Sequence, residues 1–381
     1  MSGSVKSLMM DFQLTLPPLL KRAGTYFGPI EIVSRMPDKS YHRYTYRDFH
    51  DRALRLAAGL TKAGLNRGER VATLMWNHYA HLEAYFGIPS AGFVVHTLNL
   101  RLHPSEIAYI VDHAEDRILI VDDVLLPLFN QFKDGAELEE VIVVPLTGKP
   151  VPDGYMSYEE FIGGEDGEFE FPELREDEAA GMCYTSGTTG RPKGVLYSHR
   201  AIVLHSLVSA MAAGLGLRQN DAICPVVPMF HANAWGLPFT STMIGARQVF
   251  PGPHLDPVSL LELLSHEKVT LSAGVPTLWI GLLNELQRDP RKWDLSSLHT
   301  LVVGGAAAPE ALIRGFDRHG ITVLHAWGMT EATPLGTVSH LKSYLRDLSE
   351  EERYGYRAKQ GLPVPFVEAR AVSMDEGKEV P

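Results

Sequence analysis

The stretch YTSGTTGRPKGVLYSH, residues 184–199, decides how this chain is read. Glycines at 187, 190 and 194 let the backbone turn consecutive N–H groups inward, which makes a nest for an anion. Thr185, Ser186, Thr188 and Thr189 add neutral donors, and Arg191 and Lys193 add positive charge. A loop of this make-up between two apolar runs suits a polyphosphate. It is not the GxxxxGK[ST] loop, because Pro192 stands five residues after Gly187 and no Gly-Lys-Ser/Thr end follows. A flexible surface turn is the plainer alternative, and the density of donors between two buried strands disfavours it.

Outward from the loop, helix and strand signals alternate. TYRDFHDRALRLAAGLTKAG places Phe49, Leu54, Leu56, Ala57 and Leu60 at helical spacing and stops at Gly64. ERVATLMW, FVVHTLNL and DRILIVDD are strand-length apolar runs, separated by the helical HLEAYFGIPSAG and HPSEIAYIVDHAE. Residues 145–178, rich in Pro, Gly and acids, read as a linker or surface excursion. A second series follows, with Ser198 as a helix cap, AICPVVPMF as a buried strand, and LHTLVVGG and ITVLHAW as strands that run straight into turns at Gly304-Gly305 and Gly328-Met329-Thr330-Glu331. The pattern predicts an α/β fold of two stacked sub-domains, roughly 1–170 and 176–340, with mostly parallel sheets layered with helices. Ligands of such sheets sit beyond the carboxyl ends of the strands, where the polar turns fall.

A chain of 381 residues with 45% hydrophobic and 21% charged residues can bury a sizeable core. A formal net charge of −11 argues against nucleic acid or an anionic membrane surface as the main partner, though not against a local basic pocket. The two cysteines, Cys183 and Cys224, lie in apolar runs and read as core residues of a protein in a reducing, cytoplasmic setting. No run approaches a membrane span, and MSGSVKSLMMDFQLTLPPLL lacks the apolar stretch of a signal peptide. His96, His103, His199 and His205 show no metal-ligand spacing and read as structural. Neither GxSxG nor GxGxxG after a first strand occurs, which removes the hydrolase and dinucleotide readings.

YTSGTTGRPKGV resembles the phosphate-loop signature of the acyl-adenylate-forming, AMP-binding superfamily, which includes acyl-CoA synthetases, luciferases and peptide-synthetase adenylation domains. LVVGGAAAPEAL and HAWGMTEAT resemble its two later motifs, in the right order, and the likeness runs from about residue 10 to the end. The resemblance implies ATP, Mg²⁺ and coenzyme A as co-substrates and cofactor. It implies that Thr185, Ser186, Gly187, Thr188, Thr189, Gly190 and Lys193 wrap the outer phosphates. Gly305, Ala306 and Ala307 would leave a slot for adenine and the acyl carbonyl. Trp327, in the place of an aromatic that is usually Tyr, would stack on adenine beside Gly328 and Met329. Thr330 would touch the α-phosphate and Glu331 would ligate Mg²⁺. Thr185, Lys193, His231, Thr330 and Glu331 form the implied catalytic set.

In PMFHANAW, His231 follows Phe230 where amino-acid-activating members carry an Asp that pairs with the substrate ammonium. The likeness is therefore to fatty- and aryl-acid CoA ligases. His231 would flank the acyl carboxylate, and Trp235 would stand where long-chain enzymes place a gate, with a core His and a packed Trp as the alternative. Gly304 and Gly305 argue for pocket space, and Val226, Val227, Met229 and Trp235 for apolar lining. An aliphatic acid fits best, with an aryl acid as the alternative. The expected chemistry is acyl-AMP formation followed by thioester formation with CoA. The family continues with a Thr-Gly-Asp motif, a hinge and a small C-terminal domain, and none of these motifs is found before DEGKEVP. The expectation is thus a large N-terminal part, with 341–381 as the start of a small β-barrel, impaired on its own. A nucleotide- or acyl-binding fragment without turnover is the non-enzyme alternative, and a homodimer is implied by analogy.

Overall fold

The computed structural model describes residues 9–164, 168–185, 190–375 and 377–380. Two large sheets face each other. The seven-stranded sheet runs, in spatial order, Met156–Ser157, Glu140–Val144, Asp116–Asp122, Arg70–Leu74, Val94–Thr97, Ala179–Thr185 and Lys193–Ser198. All neighbours are parallel except the last pair, an antiparallel hairpin. The nine-stranded sheet has a parallel centre of Thr322–Gly328, Thr300–Val303, Leu271–Gly274, Ala222–Pro225, Arg247–Phe250 and Glu31–Arg35. Antiparallel strands flank it, Leu335–Val338 and Leu362–Pro363 on one edge and Tyr41–Thr45 on the other.

Period-two side-chain alternation sorts each strand between two cores. Ile118 and Ile120 point into the space between the sheets, while Leu119 and Val121 point to the outer face. In the other sheet Ile223 and Val302 point inward, and Cys224, Leu301 and Val303 outward. Helices fill the space between. Tyr79–Ser90 is buried along its whole length, against strands of both sheets, and has no polar face to show the solvent. Its one acid, Glu83, is held by Arg52 Nε at 2.8 Å and the Tyr158 hydroxyl at 2.7 Å. Ser198 caps the helix His199–Ala210 through the Ala201 N–H at 3.1 Å, as expected.

The two sheets interleave along the chain and do not divide near residue 170. The hairpin at 179–198 completes the first sheet, and the N-terminal strands 31–45 join the second, because each fills an open edge. The acidic stretch 145–178 is more than a linker. Met156–Ser157 pairs with Glu140–Val144, and the helix Tyr158–Gly163 buries Tyr158 and Ile162 in the common core. Beyond 340, Leu362–Pro363 extends the large sheet and Ala371–Val372 pairs with Glu379–Val380 in a separate ribbon, so no closed barrel forms among the described residues.

The carboxyl ends of the two sheets are bolted together by Asn77, which follows the strand Arg70–Leu74 and is 3% exposed. Its amide nitrogen donates to the Pro225 carbonyl at 2.9 Å and the Val227 carbonyl at 2.8 Å, and its side-chain oxygen accepts from Met229 N at 2.7 Å. Its backbone carbonyl takes the Gly252 N–H at 3.1 Å. Asn77→Ala takes this partner from three buried backbone groups, each costing about 1–3 kcal/mol when left unmet. Urea unfolding is expected to show a loss of at least about 2 kcal/mol, and a change under about 0.5 kcal/mol would rule out the bolt.

Candidate active site

The segment fixed by Asn77 leads into an unusual turn. Ala232, Asn233, Ala234 and Trp235 have φ of 44, 53, 48 and 55°, and Gly236 follows at 72°. This is one turn of left-handed helix, which costs about 1–2 kcal/mol for each L-residue. The surroundings hold it in place. Asn233 N–H and C=O groups lie in a turn closed by Gly236 N to Asn233 O at 2.9 Å, and the Asn233 side-chain oxygen accepts from the Cys183 thiol at 3.4 Å. The Gly236 backbone lies so close to the buried His205 ring that a Cβ there would stand 2.5 Å from it.

The turn aims Trp235 across the ends of two parallel strands. A Cβ on Gly304 would lie 3.1 Å from the Trp235 ring and 3.1 Å from the Ala326 carbonyl. The room left by the missing Gly304 side chain is thus shared with the indole. A cleft of about 210 Å³ opens beside it, lined by His231, Trp235, Gly304, Gly305, Trp327, Gly328, Met329 and Thr330, together with Leu215, Ala232, Val302, Ala326, Pro334 and Leu335. It sits at the carboxyl ends of Thr300–Val303 and Thr322–Gly328, where the polar turns begin. The Trp327 indole rests on the Gly336 backbone and is 37% exposed, so a ring face is free for a planar ligand.

His231 reaches solvent at the cleft mouth while the walls crowd its ring. Desolvation, and after it the Arg101 guanidinium, lower its pKa, so the imidazole is neutral at pH 7. Arg101 also lies over the Phe230 ring, 5.8 Å from its centroid. The cleft lining thus includes one histidine, with the Arg101 cation near it.

The hairpin that carries the Gly-rich loop lies outside the cleft lining. Thr185, half-buried, ends one strand, and Lys193, exposed, begins the next, directly opposite in register. Gly190 has φ 129°. Ser186, Gly187, Thr188 and Thr189, read as phosphate ligands, lie outside the described residues. Gly194 is not part of a nest. It sits in the strand opposite Tyr184, and its missing side chain leaves room for the Tyr184 ring, which a Cβ would meet at 3.1 Å. Glu331 lies exposed in the short turn Thr330–Ala332, outside the cleft lining. On the hairpin, burial above all raises the pKa of Tyr197, with smaller contributions from Cys183 and then Glu331.

Other expected residues fall elsewhere. Ala306 and Ala307 are exposed beyond the cleft lining. Val226, Val227 and Met229 do not line it, because Asn77 and the shared Ala273 carbonyl turn that backbone into the core, where all three are 0–1% exposed. Leu215 and Arg101 join the site from distant segments, and no motif marks either of them. The histidines read as structural have packing roles: His96 pairs with Asp116, His103 caps Pro104–Ala114, and His199 accepts from Leu16 N. Cys183 and Cys224 are buried, and desolvation raises both thiols, Cys224 to about 12.

The family description "AMP-binding enzyme" matches residues 22–381. The chain is 48% identical to a long-chain-fatty-acid–CoA ligase of Thermus thermophilus, over 98% of this chain and 68% of that protein. It is 42% identical to a medium-chain-fatty-acid–CoA ligase of Ectopseudomonas oleovorans, over 98% and 69%. Among solved structures, an anthranilate CoA ligase with bound anthranoyl-AMP superposes with a TM-score of 0.85 at 26% identity, over 99% of this chain and 69% of that one. No helix among the described residues is long and apolar enough to cross a membrane.

Asn233→Val places a β-branched side chain at φ 53° and is expected to destabilise the fold by about 1–3 kcal/mol in urea titration. Asn233→Gly suits the same conformation and should stay within about 1 kcal/mol of the parent. Equal stabilities for the two variants would contradict a strained turn.

Proposed function

The chain belongs to the AMP-binding enzyme family, and from that premise we propose that it activates an aliphatic carboxylic acid with ATP and passes the acyl group to coenzyme A. The observation that carries this reading is the single cleft in which His231, Trp235, Gly304, Gly305 and the run Trp327–Thr330 meet, beyond the ends of adjacent parallel strands.

A carboxylate is a poor acyl donor, because its leaving group would be oxide. Its oxygen attacks the α-phosphorus of ATP, forming an O–P bond as pyrophosphate leaves. The sulfur of CoA then attacks the acyl carbonyl, and AMP leaves with the electron pair of the broken C–O bond. Two anions must meet in the first step, so the protein's task is charge neutralisation and positioning.

The residues suit those tasks. Lys193 offers a cation and Thr185 a hydroxyl from facing positions on the hairpin. The open face of Trp327 suits adenine, and Thr330, 9% exposed beside it, offers a hydroxyl to the α-phosphate. Neutral His231 can hydrogen-bond the acid without fixing a counter-charge, and Arg101 at the mouth favours entry of a carboxylate. Leu215, Val302, Leu335 and Trp235 supply apolar walls for an alkyl chain. No cluster of three or more His, Cys, Asp or Glu among the described residues could hold a metal alone. A lone exposed Glu331 fits an ion that brings its other ligands as phosphate oxygens. Bound with the nucleotide, Mg²⁺ supplies neutralisation between triphosphate and carboxylate. The buried thiols of Cys183 and Cys224 suit a reducing compartment such as the cytoplasm. A homodimer, by analogy with related ligases, belongs to the same reading.

The decisive experiment is pyrophosphate release by the full-length protein across short, medium, long and aromatic acids, with CoA consumption followed in parallel. Acid-dependent release with thioester formation is expected to be best with aliphatic acids. Nucleotide binding without turnover would overturn the ligase reading. In the same assay Glu331→Ala should lose roughly 10²–10³-fold in acid-dependent pyrophosphate exchange, the scale of one electrostatic stabiliser. Near-parental exchange would remove the metal role from Glu331.

A further inference from the structure

The helix Pro104–Ala114 packs on the outer face of the seven-stranded sheet, and no step above uses it. It nevertheless touches the hairpin on both sides of the loop. Tyr109 and His113 lie four residues apart and share one helix face, with ring centroids 5.3 Å apart. Tyr184, just before Thr185, hydrogen-bonds His113 Nδ1 through its hydroxyl at 2.7 Å, and the two rings meet edge to face at 88°. On the other side of the loop, Arg191 lays its guanidinium 5.2 Å from the centre of the Tyr109 ring. Beneath Tyr184 lies His96, with centroids 5.2 Å apart, itself held by buried Asp116 at 2.7 Å. The Tyr184 ring also covers Gly194 across the hairpin.

We propose that Tyr109 and His113 are positioning residues for the triphosphate of ATP, and that Arg191 serves as a strut on Tyr109 and not as a phosphate ligand. The proposal rests on reading the loop as the phosphate holder. Any binding segment whose flanking residues are not held loses conformational entropy when a ligand orders it. Fixing Tyr184 and Arg191 on one rigid helix pays that cost during folding, so it is not charged to binding. The hydrogen bond and the cation–π contact each correspond to roughly a 2- to 10-fold effect on ATP affinity. Neither contact involves the acid, so the effect should be confined to the nucleotide.

His113 is exposed, so His113→Ala leaves the core intact, and Tyr109 is half-buried at the edge of the outer core, where Tyr109→Leu keeps an apolar side chain. In the full-length protein, without ligand, amide hydrogen exchange across 182–195 is expected to quicken in both variants. The KM for ATP should rise roughly 2- to 10-fold, while kcat and the KM for the acid stay unchanged. Tyr109→Phe keeps the ring face and should behave as the parent. Unchanged exchange and ATP KM in both variants would overturn the proposal, as would an equal rise in the acid KM. A kcat loss near 100-fold in Arg191→Ala but not in Tyr109→Leu would make Arg191 a phosphate ligand and remove the strut. A parent protein without acid-dependent pyrophosphate exchange would refute the ligase reading, and the amide hydrogen-exchange comparison would still decide whether Tyr109 and His113 hold the hairpin.

Discussion

One buried amide sets the relation between the two sheets. Asn77 ends a strand of the first sheet and uses all of its short side chain on backbone of the second, at Pro225, Val227 and Met229. Parallel strands place their ligand-binding turns at one end, and stacking two such sheets makes a common site only if those ends coincide. The apolar layer between the sheets is not directional and would tolerate sliding. A hydrogen-bonded amide is directional, and its partners would be left unmet by a shift of a few ångströms. The Tyr85 hydroxyl, from the buried central helix, adds a bond to the Met229 carbonyl and holds the same segment from a third side.

From that fixed point the chain enters the left-handed turn that carries Trp235. Strain of this kind persists only where the surroundings over-determine it. Here the restraints come from the first sheet as much as from the second. Cys183, two residues before Thr185, donates to Asn233, and Thr97 of the neighbouring strand reaches both Cys183 and the Phe230 carbonyl. The strand Ala179–Thr185 is thus bonded to the turn that carries Trp235 into the cleft. A discrete backbone conformation bonded to both sheets is the sort of element through which a shift in one sheet can bias the other.

Charge is distributed to match. The chain carries −11 overall, yet Arg101, Arg191 and Lys193 stand around the site. A locally positive mouth on an acidic protein favours small anions over polyanions such as nucleic acid, whose many phosphates would meet the rest of the surface. Desolvation lowers the buried His199 and His205 to about 4, so these two add packing without charge.

The sequence by itself determined what depends on neighbours along the chain. Strand and helix periods, the Ser198 cap, and the Gly-rich turns after Val303 and Ala326 are local, since dihedral preferences and side-chain period act over a few residues. Those signals sufficed for the α/β class; His231, Trp235, Trp327 and Thr330 were named from the family resemblance, and with Gly304 the structure brings them to one cleft. Tertiary structure alone decided which sheet each strand joined, because edge pairing depends on which edges other segments leave open. It also decided that Val226, Val227 and Met229 face the core, that Gly194 and Gly304 make room for Tyr184 and Trp235, and that four residues turn left-handed. The core-facing segment and the left-handed turn are held by partners distant in sequence, Asn77, Cys183 and Ala273, and no local pattern records such contacts.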